Sequence, residues 1–312
     1  MMPVRPLLSL LSPAAERARL SVLIFHRVLP EPDPLFPDEM HVRRFDEVCG
    51  WLKAWFNVLP LYEAVKALQD GSLPARACCI TFDDGYADNL HNATPILHKH
   101  GLSATFFVAT HFLDGGRMWN DTVIESIRLC PQPLLDLGGL GQFALDSTAS
   151  RRSAIGAVIG QLKYLPLDER VSAAEGVARR AEVELPNDLM MSSDEVRQLR
   201  RTGMVIGAHT ATHPILARLP TEQASVEMQE GRRFLQELLG ERIGLFAYPN
   251  GKPGADYLPE HVAIARELGF DAAVSTAWGA ADTRSDLFQI PRFTPWDKTR
   301  SSFGVRLLRN LL

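Results

Sequence analysis

The sequence predicts an α/β fold built on a largely parallel sheet, and two observations carry that prediction. Seven short apolar runs, Val22–Phe25, Cys78–Phe82, Ala104–Val108, Val205–Ala208, Leu245–Tyr248, Ala272–Ser275 and Phe288–Ile290, mostly lack strict apolar–polar alternation. Strands covered on both faces read this way. Between the runs lie segments with helical spacing and helix-ending signals, so strand and helix alternate along the chain.

Each element has its own warrant. Val22–Phe25 opens the sheet and ends at His26. Phe45, Val48, Leu52 and Trp55 fall on one face of a helix over Phe45–Phe56. Cys78–Phe82 runs into Asp83, Asp84 and Gly85, and neighbouring Cys78 and Cys79 are expected as buried thiols on opposite faces of that strand. His91, His98 and His100 read as surface residues of the following helix, and His111 follows the strand Ala104–Val108. Ser192 and Glu195 form an S-x-x-E capping box ahead of Val196 and Leu199, with Gly203 placed to stop that helix. Phe234–Leu239 ends at Gly240 and His261–Leu268 at Gly269 in the same way.

One stretch breaks the rhythm. Residues 115–190 hold no convincing core strand, but helix-like segments lie near Asp121–Cys130, Ala154–Leu162 and Glu169–Ala181. This reads as a mainly helical insertion. Its Trp119, Arg151, Arg152, Lys163 and Tyr164 suit either a solvated cap or one wall of a cleft. Residues 1–20 read as an N-terminal extension to one domain over 21–312.

The bulk numbers narrow the classes. Of 312 residues, 46% are hydrophobic and 22% charged, the balance of an ordinary globular protein with a buried core. The net charge of −4 comes without a basic stripe, which argues against a nucleic-acid partner. The four cysteines form no C-x-x-C pair, so a reduced compartment is expected. The apolar stretch Leu7–Leu11 is shorter than the roughly 7–15 residues of a signal-peptide core. No run approaches the ~18 apolar residues of a membrane span. A cytoplasmic protein without a transmembrane segment is the expectation.

Three motifs carry chemistry. In Ile80-Thr81-Phe82-Asp83-Asp84-Gly85, two carboxylates end a buried strand, where ligand sites of α/β folds lie. Adjacent carboxylates repel unless a cation or proton intervenes; the alternative is that one of them caps the helix starting near Tyr86. In His209-Thr210-Ala211-Thr212-His213-Pro214, two histidines at i and i+4 can converge on one metal, or can be loop histidines without a ligand. No Glu follows His209 and Pro214 ends the motif, so the zinc-protease pattern does not apply. In Phe246-Ala247-Tyr248-Pro249-Asn250-Gly251, a strand enters a turn that can present backbone N–H groups to an oxyanion. All three fall at the ends of different predicted strands. An Asp, His, His set leaves metal positions open for water and a carbonyl oxygen.

TFDDGYADN, HTATHP and FAYPNG, in that order, resemble the polysaccharide deacetylase family (carbohydrate esterase family four, the chitooligosaccharide-deacetylase homology domain). Ile24-Phe25-His26-Arg27-Val28 resembles the first strand of many members. The resemblance implies a distorted, incomplete (β/α) barrel and divalent-metal hydrolysis of N-acetyl groups on a sugar or glycan; the ligand types make zinc the default metal, with cobalt, nickel or iron as alternatives. It implies Asp83 as catalytic base, Asp84, His209 and His213 as metal ligands, Thr210 in a positioning role, and Tyr248, Pro249 and Asn250 at the substrate. Two departures stand out. The third motif lacks the Arg that orients the base in many members, for which Arg292 is the candidate substitute. The Leu-x-His that supplies a general acid is absent; His26 is the candidate proton donor, and His261 lies on a predicted helix. Rival readings are a hydrolase of a non-sugar linear or cyclic amide, a glycan-binding relative without catalysis, and a phosphatase, which would leave the histidines unexplained.

Overall fold

A computed structural model describes residues 4–312. Its elements run α1 (Val4–Leu11), β1 (Leu20–Phe25), α2 (Val42–Trp55), β2 (Asn57–Val58), α3 (Leu61–Gln69), β3 (Ala77–Phe82), α4 (Thr94–His100) and β4 (Thr105–Val108). There follow α5 (Trp119–Leu129), β5 (Leu134–Asp136), β6 (Gln142–Ala144), α6 (Thr148–Leu162), α7 (Leu167–Ala181) and α8 (Ser193–Arg201). The chain closes with β7 (Val205–Ala208), α9 (Thr221–Leu239), β8 (Leu245–Ala247), α10 (Pro259–Glu267), β9 (Ala272–Val274) and α11 (Arg300–Asn310). Residues 1–3 of the expected N-terminal extension lie outside the described residues; from Val4 on it forms α1, whose Val4 and Leu8 are buried in the main core.

Six strands lie in the order β1-β3-β4-β7-β8-β9, every neighbouring pair parallel, and β2 adds a seventh beside the start of β3. The sheet curls into a distorted, incomplete barrel. The predicted strand Phe288–Ile290 is not a strand. The Phe288 N–H is taken by the Asp286 carboxylate in a turn, Ile290 alone bridges to β9, and Pro291 has no N–H to continue the ladder. Phe293 then bridges to Leu23 of β1, so this irregular segment spans the gap between β9 and β1.

Alternation along β3 sorts its side chains. Cys78, Ile80 and Phe82 pack outward among Phe45, Leu97 and Phe106, while Cys79 faces inward among Val22, Phe107, Ala247 and Val274. The same period turns Thr81 and Asp83 inward. All four cysteines are free and buried, and burial pushes the Cys49, Cys78 and Cys79 thiols up, which leaves them unreactive.

The Ser192–Glu195 capping box forms as its sequence predicts. The Ser192 hydroxyl accepts from the Glu195 N–H at 3.2 Å, and the Ser192 N–H donates to the Glu195 carboxylate at 2.7 Å. Ser192→Ala is expected to cost about 1 kcal/mol, read as a lower urea midpoint with unchanged slope.

Residues 115–190 hold α5, α6, α7 and the small antiparallel β5–β6 ribbon, around a separate core that includes Val123, Ile127, Val158 and Val177. Two arginines tie this unit to the loop after β1. Arg128 forks onto the Asp33 carboxylate at 3.0 and 2.6 Å, and Arg152 donates to the Leu35 and Pro34 carbonyls at 2.8 Å each. Arg151 bonds carbonyls inside the insertion itself. No helix among the described residues is long and apolar enough to cross a membrane.

Candidate active site

The motifs converge at the C-terminal ends of β1, β3, β7 and β8. Asp84 Oδ1 lies 3.4 Å from His209 Nε2 and 3.4 Å from His213 Nε2. One ligand atom from each of these residues falls within 4.8 Å of the other two. The residues sequence reasoning assigned to a metal are therefore together.

Asp84 Oδ1 is buried and has no hydrogen-bond partner among the described residues. An orphaned carboxylate oxygen facing two imidazoles is costly unless a cation satisfies it. Ligands about 2.1 Å from a tetrahedral ion stand about 3.4 Å apart, which the observed spacing matches. His209 Nδ1 lies 2.8 Å from the Ala247 carbonyl, so Nδ1–H donates there and Nε2 keeps its lone pair for the site. Burial opposes charge on His209, but the Asp83 and Asp84 carboxylates outweigh it and raise its pKa. The same field favours a metal cation in the proton's place. Burial lowers the pKa of His213 to about 4, which keeps it in the neutral, ligating form. The donor set fits a divalent ion.

Asp83 is held apart from this set. Arg292, only 1% exposed, forks onto it with Nη1–Oδ1 and Nη2–Oδ2 both at 2.7 Å. The guanidinium is itself fixed by the Ser275 carbonyl at 2.8 Å and the Thr81 hydroxyl at 3.2 Å. Burial works to raise the Asp83 pKa, and Arg292 with His209 more than reverses it, so the carboxylate stays ionised. Arg292, the candidate substitute for the Arg missing from the third motif, thus pairs with Asp83, arriving from the irregular segment between β9 and β1.

The histidine loop is braced twice. The Thr210 hydroxyl donates to the His209 carbonyl and accepts from the His213 N–H. Glu227 on α9, which the sequence did not single out, accepts from the Ala211 and Thr212 N–H groups at 3.1 and 2.8 Å and from the Thr212 hydroxyl at 2.6 Å. Its signal was faint: Gly231 lies one turn further along α9, inside a helix, where glycine costs about 1 kcal/mol relative to alanine. A Cβ at Gly231 would meet the Thr210 carbonyl oxygen at 2.5 Å, so the glycine lets α9 approach the loop.

Asp84, Thr210, His213 and Asn250 all have positive φ. Such strain in non-glycine residues collects at functional sites. In the third motif, the Tyr248 ring is fully buried, stacked 3.9 Å from Tyr257, and its hydroxyl donates to the Phe288 carbonyl. Pro249 is buried beside it. Of the two N–H groups in this turn, that of Tyr248 donates to the Val274 carbonyl at 3.3 Å, and that of Asn250 has no acceptor among the described residues. His26 is exposed and lines a groove of about 710 Å³ with Asn250, Arg152, Asp38 and Trp296. It lies near enough to lower the pKa of both Asp83 and Asp84. His261 is buried on α10, where Nδ1 accepts from the Leu258 N–H. His91, His98 and His100 bond Glu195, the Thr202 carbonyl and Asp46 around α4.

The curled sheet is that of solved deacetylases. The Streptococcus pyogenes deacetylase PplD in complex with acetate superposes with a TM-score of 0.63 at 18% identity, over 95% of this chain and 99% of that one. IcaB from Ammonifex degensii gives 0.60 at 20% identity, over 96% and 98%. Among curated proteins, YxkH of Bacillus subtilis (strain 168) is 21% identical over 277 residues, 88% of this chain and 71% of its own length. A family model described as "Polysaccharide deacetylase" matches residues 70–139 and 140–273. The chain belongs to the polysaccharide deacetylase family, whose members hydrolyse carbon–nitrogen bonds other than peptide bonds in acetylated glycans.

Proposed function

We propose that this protein is a divalent-metal-dependent deacetylase that hydrolyses N-acetyl groups on a sugar or polysaccharide. The observation that supports this best is the pairing of Asp84, His209 and His213 around one point with a separately held, ionised Asp83 beside it. A purely glycan-binding relative has no use for that second carboxylate.

Asp84, His209 and His213 hold the ion. Zinc suits two imidazoles and one carboxylate, and cobalt, nickel or iron(II) match the same donors. When bound, the ion supplies Lewis acidity and lowers the pKa of water. Asp83, aimed by Arg292, accepts the proton of the attacking water; each oxygen keeps a lone pair beyond its bond to the guanidinium. The Asn250 N–H donates to the oxyanion that forms at the acetyl carbon. His26, at the groove, gives a proton to the leaving amine. Acetate and a free amino sugar result.

The test is acetate release from N-acetylglucosamine oligomers. A chelator is expected to abolish it and added divalent metal to restore it. His209→Ala is expected to lose both bound metal, by elemental analysis, and turnover. Metal-loaded protein that releases acetate from no sugar would turn the reading toward a non-sugar amide.

A further inference from the structure

We propose that Trp296 forms a second sugar site, so that the substrate is a glycan of at least two rings and not a single amino sugar. This rests on the deacetylase reading for the position of the reacting ring. Trp296 lines the same groove as His26 and Asn250, the groups assigned to the leaving amine and the oxyanion. The groove's volume of about 710 Å³ falls within the roughly 300–1,000 Å³ of sites that take a drug-sized ligand, and one pyranose ring leaves part of it unfilled. The reacting end is deep, since Asp83, Asp84 and His209 are all buried. Trp296, 71% exposed, marks the shallow end.

The tryptophan is held in solvent by a braced segment. Arg306 of α11 donates to the Asp297 carboxylate at 2.6 Å and to the Thr294 carbonyl at 3.1 Å, and its guanidinium lies 5.9 Å from the Trp296 ring centroid. Arg44 of α2 donates to the Asp297 carbonyl, and Lys298 pairs at 2.7 Å with Asp38, which also lines the groove. A single exposed apolar side chain needs no explanation by itself. Trp278, also exposed, packs on Phe293 at 5.1 Å and is no part of the groove's lining. What sets Trp296 apart is a fixed ring in the wall that carries the reacting groups, with polar groups around it. A β-linked pyranose presents apolar C–H faces and a rim of hydroxyls. The indole face takes the first, and Asp38, Glu39 and Arg152 supply acceptors and donors for the second. A purely apolar occupant would strip water from those charged groups without replacing it.

The probes are N-acetylglucosamine and its β-1,4- and β-1,6-linked tetramers, titrated calorimetrically into the whole, zinc-loaded protein carrying Asp83→Asn to stop turnover. At least one tetramer is expected to bind at least about tenfold more tightly than the monomer, beyond the roughly fourfold that its number of rings supplies, through the added aromatic contact. Trp296→Ala is expected to remove about fivefold of that gain, the order of one aromatic contact. Trp296→Tyr, which keeps an aromatic face, is expected to retain most of it. Monomer and tetramers bound alike, or weakened in equal proportion by Trp296→Ala, overturn the proposal. So does a concentration-dependent dimer that Trp296→Ala dissolves, which assigns the ring to a second copy. In the protein with Asp83 intact, Trp296→Ala should raise KM for the tetramer by more than it lowers kcat; a fall in kcat alone overturns the proposal. Tetramer binding of the expected pattern with no acetate released from any sugar counts against the deacetylase reading alone, because the calorimetric comparison needs no turnover.

Discussion

Asp83→Asn is expected to lower the rate of acetate release by about 10²–10⁴-fold, the usual contribution of a general base, while metal content stays that of the parent protein. The substitution keeps the shape of the side chain and removes its ability to take a proton. The metal-binding set is Asp84, His209 and His213, and of these the His209 Nε2 stands 4.0 Å from Asp83 Oδ2, beyond hydrogen-bond range. Acetate release and elemental analysis on the same preparation separate the two effects. Retained turnover in the Asn variant removes Asp83 from the mechanism. Loss of metal together with turnover makes it a ligand instead of a base.

Arg292→Met carries the second large effect, and it falls on the fold as well as on turnover. Arg292 and Asp83 are both buried at the end of β3, and the guanidinium satisfies both carboxylate oxygens. Removing one partner of a buried pair strands the other charge, at a cost of about 3–5 kcal/mol. The expected result is a sharply lower urea midpoint and little turnover. Asp83→Asn combined with Arg292→Met should recover much of that stability and none of the activity. Equal stability of the parent and the Arg292→Met protein would show that the pair does not hold the site. The pH dependence has a fixed sign. Arg292 and His209 hold the Asp83 pKa below its ordinary value of 3.8 against burial, so the pair's contribution is complete above that value and is lost as pH falls through the lower, folded-state one. The Met variant should therefore show a shallower loss of stability in acid.

The sheet was legible because its strands are short, apolar and bounded by clear helix stops at Gly240 and Gly269. It failed at Phe288–Ile290, where composition reads as strand but Asp286 and Pro291 capture or remove the N–H groups a ladder needs. The two-residue β2 and the three-residue β5 and β6 are too short for periodicity to register. Asp83, Asp84, His209 and His213 stood out because their chemistry is dense at strand ends. Arg292 could be named only as a candidate, since its partner lies 209 positions away. Tyr248 shows the opposite limit. A motif gives the position of a residue but not the direction of its ring, and here core packing against Tyr257 claims it. Glu227 was missed because a lone acid on a long helix resembles every other solvated acid; only its contact with the histidine loop distinguishes it.

That glutamate sits where two demands meet. Its carboxylate grips the segment carrying His213, and it also lines a hollow beside Val226 on the same helix. Anything lodged against that helix leans on the scaffold that sets the imidazole positions. Any binding there is therefore coupled to how firmly the imidazoles hold a metal, and the coupling is equal in both directions.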